Sequence, residues 1–308
     1  MTTLLVTHDD CLNHVTPPGH PERVARLEAL LPALEDKPLL RVEAPEASED
    51  DICLAHPKAH YDRIRMDTPE QGLVQIDGDT CLSPGSFRAA CRAAGGAIRA
   101  VDMIMAGEAS NGMVAARPPG HHAEATTPMG FCLFGTIAVA AKHALERHGL
   151  SRVAVVDFDV HHGNGTQDLL WDEARALFIS SHQMPLWPGS GGREETGAHN
   201  NVINVPLDPG CGSVDLRKTY ERDVFPALKK FDPEFMFISA GFDAHKADPL
   251  ANLMFEDDDF GWLTDKLCAI AADHCDGRVL SNLEGGYDLN ALVSSGTAHV
   301  DALIRAGS

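Results

Sequence analysis

The sequence predicts an α/β protein: an open, mostly parallel sheet of about eight strands with helices on both faces, forming one domain over residues 1–308. Three observations carry this. Short apolar runs alternate with longer helical patterns along the whole chain. Several of the short runs are continuously apolar, as strands buried on both faces of a parallel sheet should be. No internal repeat, low-complexity tract or Gly/Ser/Pro-rich linker divides the chain.

The strand candidates, in order, are "TLLVT" (3–7), "LLRVE" (39–43), "GMVAAR" (112–117), "RVAVVDF" (152–158), "ALFISS" (176–181), "NVINVPL" (201–207), "EFMFISA" (234–240) and "RVLSNLE" (278–284). Helical patterns lie between them. "HPERVARLEALLPALE" places Pro21 at a first-turn position, ahead of apolar residues at three- and four-residue spacing. "PGSFRAACRAAGGAIRAVDMIMAG" and "FCLFGTIAVAAKHALERHG" are largely apolar, and each ends at a glycine suited to a C-cap. "SVDLRKTYERDVFPALKKF" and "DDDFGWLTDKLCAIAADHC" are amphipathic with acids near their starts, where the helix dipole favours them.

Composition narrows the function. Of 308 residues, 25 are Lys or Arg and 45 are Asp or Glu, a formal charge of −20. So acidic a chain is poorly suited to nucleic acid, whose phosphates need clustered cations. It suits attraction of a cationic substrate, or simply a solvated surface. "MTTLLVTHDD" has no basic n-region and no long apolar run, and no stretch approaches a membrane span of roughly 20 apolar residues. The 8 cysteines form no C-x-x-C pair and read as reduced thiols of a cytoplasmic protein.

Ligands of such folds sit beyond the carboxyl ends of the strands. After 152–158 comes "DVHHGNGTQ". If the strand stays extended to 161, its period of two turns Asp157, Asp159 and His161 to one side and Phe158, Val160 and His162 to the other. Asp159 and His161 then aim a carboxylate and an imidazole at one point, two ligands for a metal such as zinc, with Asp157 one pleat deeper. The competing reading is an ordinary βα turn, with Thr166 as N-cap of the next helix. A cap, however, does not need three acids and imidazoles on one face. The strand at 234–240 leads to Asp243, a third ligand. Two Asp and one His leave the fourth position open, as a catalytic metal requires. "RPPGHHAE" puts His121 and His122 at the same edge, as acid–base groups or as structural histidines. "NLEGGYDL" ends the last strand, with two glycines before Tyr287, either a turn or a phenol presented to a developing oxyanion.

Together "PPGHPERVARL", "RPPGHHA", "MGFC", "DFDVHHGNGTQ", "PLWPGSGG", "SAGFDAHKADPL" and "LEGGYDL" resemble, in order and over nearly the whole chain, the histone deacetylase superfamily. That superfamily includes bacterial deacetylase-like amidohydrolases and acetylpolyamine amidohydrolases. Asn164 in "HHGNG", where class I members carry Asp, is similar to class II. The resemblance implies a three-layer arginase/deacetylase fold and a zinc-dependent amidohydrolase. It implies one Zn²⁺ on Asp159, His161 and Asp243. His122 would be general base and then acid, oriented by Asn164, and His121 would be oriented by Asp157. Tyr287 would donate to the acyl oxygen. The Gly130 carbonyl would accept the substrate amide proton, Phe131 and Trp187 would wall a tunnel, and Leu250 and the acid Asp79 would lie at its rim. A K⁺ near Asp157, Asp159, His161, Ser180 and Ser181 is also implied.

Gly135 departs from the resemblance, since many relatives carry Asn there. His245, at Asp-x-His spacing from Asp243, stays unligated by the same resemblance. The implied substrate is acyl-lysine in a peptide, or a related small acylated amine. An acetylpolyamine deacetylase is the alternative, made weaker because Leu250 stands where the polyamine specialists have Glu. A binuclear manganese ureohydrolase would need further acids, but the next positions on the same faces are Gly163 and His245. A non-catalytic acyl-lysine reader would not need the full set of catalytic side chains. Partners expected are the acyl-amine substrate alone, without nucleic acid or membrane. The oligomeric state, homo-oligomer included, stays open.

Overall fold

The computed structural model describes residues 2–308. Its strands are β1 (Thr3–Thr7), β2 (Leu39–Glu43), β3 (Val74–Gln75), β4 (Cys81–Leu82), β5 (Asn111–Val114), β6 (Val153–Asp157), β7 (Ala176–Gln183), β8 (Val202–Leu207), β9 (Phe235–Ala240) and β10 (Val279–Leu283). Eight of them join one sheet in the order β2-β1-β5-β10-β9-β6-β7-β8, and every neighbouring pair is parallel. They are the eight runs expected from apolar patterning, with ends shifted by a few residues. β3 and β4 form a separate antiparallel ribbon.

The central strands β6 and β9 are buried along their whole length, as continuous apolar runs should be. At the edges the pattern relaxes. β2 is half exposed, and β8 tolerates Pro206 because an edge strand lacks a partner on one side.

The helices are α1 (Ala25–Ala33), α2 (Glu49–Ile52), α3 (Lys58–Asp67), α4 (Ser86–Met105), α5 (Thr136–Arg147), α6 (Asn164–Leu170), α7 (Ser213–Thr219), α8 (Phe225–Phe231), α9 (Asp257–His274) and α10 (Leu289–Gly307). α4 packs against α5 on the sheet, and α9, α10 and α1 form a second packed group. Gly107 and Gly149 follow α4 and α5 at φ +73° and +69°, the left-handed conformation of a C-terminal stop.

Several local expectations fail. α1 begins at Ala25, so Pro21 lies in the preceding loop and not in a first turn. Thr166 is not an N-cap: α6 starts at Asn164 after Gly163, and the Thr166 hydroxyl is buried without a partner. The segment expected as one helix at 213–231 is α7, a π turn (Tyr220–Val224) and α8, with Pro226 entering where its missing N–H is harmless. α3 and α10 have no counterpart in the expected elements. α10 holds Ser294, Ser295, Gly296 and Thr297, weak helix formers, and is stabilised by packing on α9 and α1. A Cβ on Gly296 would come within 2.9 Å of Leu30, so that packing uses the missing side chain.

β5, β10, β9 and β6 are adjacent in the sheet. The chain leaves their carboxyl ends at residues 115, 284, 241 and 158, so four loops distant in sequence meet at one edge.

Candidate active site

The first cluster grows from the ends of β6 and β9. β6 stops at Asp157, earlier than an extended strand to 161 would require, and the chain bends through 159–161. Side-chain sorting survives the bend. Phe158 and Val160 enter the core, while Asp159, His161 and Asp243 converge. Their ligand atoms all lie within 4.8 Å of one another, with His161 Nδ1 3.1 Å from both Asp159 Oδ1 and Asp243 Oδ2.

Backbone amides hold the acids still. Val160 N donates to Asp243 Oδ1 (2.9 Å), His161 N to Asp159 Oδ1 (2.9 Å) and Gly285 N to Asp159 Oδ2 (2.8 Å). A Cβ at Gly241 would come within 2.0 Å of Asp159 Oδ2, and one at Gly285 within 2.1 Å of Asp243 Oδ2. Both glycines are space for the carboxylates. Burial pulls His161 down, but Asp159 and Asp243 outweigh it and hold the ring at about 10. Two buried carboxylates sharing one imidazole are an anionic cage, and a bound dication would neutralise it. The donor set fits zinc: one nitrogen, two oxygens and room for a fourth ligand.

The two histidines after β5 sit on this cage with distinct partners. His121 Nδ1 is 3.0 Å from Asp157 Oδ2. Burial opposes its charge, but Asp159 and Asp157 hold it up at about 10. His122 Nδ1 is 2.8 Å from Asn164 Oδ1. Burial, then the neighbouring His121 and His161, push His122 well below the usual histidine range. The rings lie 3.8 Å apart. The pair is thus split, His121 raised by two carboxylates and His122 lowered by burial and its histidine neighbours.

A cavity of about 430 Å³ opens onto this cluster, lined by His122, His161, Gly130, Phe131, Trp187, Leu250, Tyr287 and Asp79. Trp187 stands edge-on to His122 at 4.7 Å and Phe131 to Tyr287 at 5.8 Å. Gly130 has φ +56°, and a Cβ there would strike both His122 and Trp187. Leu250 is half-buried, whereas Asp79 and Trp187 are exposed at the mouth. A wider surface hollow of about 940 Å³, near Thr16, Leu73 and Phe87, contains none of these ionisable groups, so the chemistry belongs to the smaller cavity.

Other expected residues occupy nearby but separate places. The Ser180 hydroxyl pairs with His182 Nδ1 at 3.0 Å, and the Ser181 hydroxyl with Tyr220 at 2.6 Å and the Asp157 carbonyl at 3.5 Å. His162 faces away, bonded to Ser190 and Gln167. His245 faces Asp257 at 3.5 Å, away from the acid cage. Gly135 is the N-cap of α5, and its N–H donates to His56 Nε2 at 2.8 Å.

Four supporting residues lay inside quoted motifs without a role. Glu284 is fully buried and accepts from the backbone N–H groups of Gly120 (2.7 Å) and His121 (3.1 Å), fixing the histidine loop. Asp248 accepts from Tyr287 N at 2.7 Å. Arg26, also fully buried, donates to the Gly286 carbonyl at 2.7 Å and lies 5.0 Å from the Tyr287 ring centroid. Glu22 binds both Arg26 and Arg117; burial raises its carboxyl, yet Arg117 outweighs this and holds it at about 2. The one available signal was a charged residue next to an apolar strand or helix face, which is costly to bury unless paired.

Comparison with known proteins agrees with this architecture. The histone deacetylase domain family matches residues 20–303. A probable deacetylase of Archaeoglobus fulgidus is 37% identical over 298 residues, covering 94% of this chain and 82% of that protein. A histone deacetylase-like amidohydrolase of Pseudomonas aeruginosa is 39% identical, covering 94% of this chain and 79% of its own. The crystal structure of the HDA15 HD domain superposes with a TM-score of 0.93 at 33% identity, covering 99% of this chain and 88% of that one. The eight-stranded parallel sheet, the converging loops and these matches together make the chain a member of the histone deacetylase family, an enzyme of the deacetylase type.

Proposed function

We propose that residues 1–308 act as one catalytic domain, a zinc-dependent amidohydrolase that removes acetyl or other short acyl groups from acyl-lysine or a related small acylated amine. The observation that carries this is the convergence of Asp159, His161 and Asp243 beside the His121–His122 pair, at the floor of a cavity walled by Phe131, Trp187 and Tyr287.

Asp159, His161 and Asp243 would hold the ion. When bound, zinc supplies Lewis acidity to the acyl carbonyl and lowers the pKa of its water towards about 7. The chain's own groups do the rest. His122, with Nδ1–H held by Asn164, keeps the Nε2 lone pair free to take the proton of the attacking water. Tyr287 donates its phenol proton to the acyl oxygen as charge develops there. His122 then protonates the departing amine. His121, paired with Asp157, keeps a positive charge beside the reacting centre. The Gly130 carbonyl accepts the substrate N–H, and Phe131 and Trp187 hold the extended acyl-amine arm and exclude water.

Asp79, exposed at the mouth, is placed to accept from a peptide backbone or from an ammonium. The potassium proposal rests on the Ser181 hydroxyl and Asp157 carbonyl lying together behind the cage, with Asp159, His161 and Ser180 as the remaining donors. Leu250 at the mouth favours acyl-lysine over acetylpolyamine, since a leucine cannot grip a distant ammonium. A panel of acetyl-lysine peptide, acetylputrescine and acetylspermidine tests the reading. Turnover of the peptide, abolished by a chelator and restored by zinc, is expected. A hundredfold preference for the polyamines would overturn the assignment of substrate, and two manganese ions per chain would overturn the chemistry.

A further inference from the structure

A second cluster of metal-type donors lies far from this site. Asp102, near the C-terminal end of α4, places Oδ1 2.8 Å from His143 Nε2 on α5 and 2.8 Å from His148 Nε2 at the end of α5. The ring centroids are 5.4 Å apart, and the three ligand atoms lie within 4.8 Å of one another. α4 leads into β5 and α5 into β6, so the cluster sits by the amino-terminal edge of the sheet. The catalytic loops leave the opposite edge, roughly a strand length of 15 Å away.

We propose that Asp102, His143 and His148 form a second metal site, for a borderline divalent transition ion such as Zn²⁺, that clips α4 to α5. Two imidazoles and a carboxylate suit zinc, nickel or copper, and are the wrong donors for calcium or magnesium. The geometry needs little change. Ligand atoms around a tetrahedral ion with bonds of roughly 2.0–2.2 Å stand about 3.3–3.6 Å apart, so these contacts must open by roughly 0.5–0.8 Å. His143 is buried and serves as the fixed anchor, while Asp102 and His148 are part-exposed and free to yield. His143 Nδ1 is buried without a partner. Without metal the Asp102 carboxylate holds the Nε2–H form, but no donor occupies Nδ1, so an ion that takes over Asp102 lets the proton move to Nδ1 and leaves the Nε2 lone pair for the ion. Water on the exposed side completes the shell. An ion held only by the folded helix pair stabilises the fold by mass action and leaves the distant chemistry unchanged.

The test counts metal. The enzyme as purified, with its catalytic ion in place, is equilibrated with saturating Zn²⁺ and analysed by elemental mass spectrometry, beside His148→Ala and Asp102→Asn. The wild type should hold one more ion per chain than either variant, and added Zn²⁺ should raise its thermal midpoint by several degrees and theirs not at all. Both variants should keep wild-type turnover, which shows that they fold. Equal metal content in all three proteins, whether one ion or two, would overturn the proposal. So would a zinc-dependent rise in midpoint that survives in both variants.

Discussion

One amide oxygen and one carboxylate divide the work of the histidine pair. Asn164 Nδ2 donates to Glu124 Oε1 at 2.9 Å, which turns the amide oxygen towards His122 Nδ1. An amide oxygen only accepts, so Nδ1 carries the proton, which leaves Nε2 free for the base role proposed above. His121 faces Asp157, the partner of the charge it carries in the proposed mechanism. Asp157→Asn removes the partner of that charge but no ligand of the cage. It should lower turnover about a hundredfold or more while zinc content stays at the wild-type level; unchanged turnover would refute the role given to Asp157. Tyr287→Phe should lower kcat about 10²–10³-fold with little change in KM, because the phenol acts mainly on the charge that develops in the transition state. A KM effect alone would make Tyr287 a binding residue. These side chains were legible in the sequence because each follows an apolar strand. Their partners Glu284, Asp248 and Arg26 were not, because nothing local distinguishes a buried charge from an exposed one until its partner is found.

At the level of elements, the site depends on how closely β10 and β9 bring their loops to the end of β6. Gly285 is the point where the backbone meets both acids. A Cβ there would lie 2.1 Å from Asp243 Oδ2 and 2.5 Å from Asp159 Oδ2. Gly285→Ala should therefore weaken zinc binding about 10–100-fold, as measured by chelator competition, with activity restored in part by excess zinc. Wild-type zinc affinity in this variant would mean the loop adapts freely. The sequence reading took the two glycines as a bend before Tyr287. Gly286 does bend, at φ +116°, but Gly285 is required by space. The elements themselves followed from period and apolar runs. The exceptions were α2, α3, α10 and the β3–β4 ribbon. In α10, contacts with α9 and α1 override poor helix formers.

For the whole molecule, the buried histidines make stability sensitive to acid. Burial holds His14 at about 4 and His56, His182 and His299 at about 3, against 6.5 in an exposed ring. Each is neutral in the fold and protonates once the chain unfolds. Their contribution is therefore complete above pH 6.5 and lost as the pH falls towards 4, by about 1.4 kcal/mol per pH unit for each ring. Asp157 and Asp243, held at about 7, and Glu284, all raised by burial, gain stability over the same range and offset part of this, while His162, lowered to about 4, adds to the loss. The urea midpoint should fall steeply below about pH 6; a level midpoint from about pH 6 down to 5 would contradict this. The sequence by itself determined the α/β class, all eight strands of the sheet and the acids and imidazoles at their ends, because hydrophobic period and strand-end position are local properties. Only the tertiary structure decided which ends meet, since the strand order β5-β10-β9-β6 joins loops distant in sequence, those after β5 and β10 more than a hundred residues apart. It alone decided which charges are buried in pairs and which glycines make room for a carboxylate, because these depend on distances that no local pattern encodes.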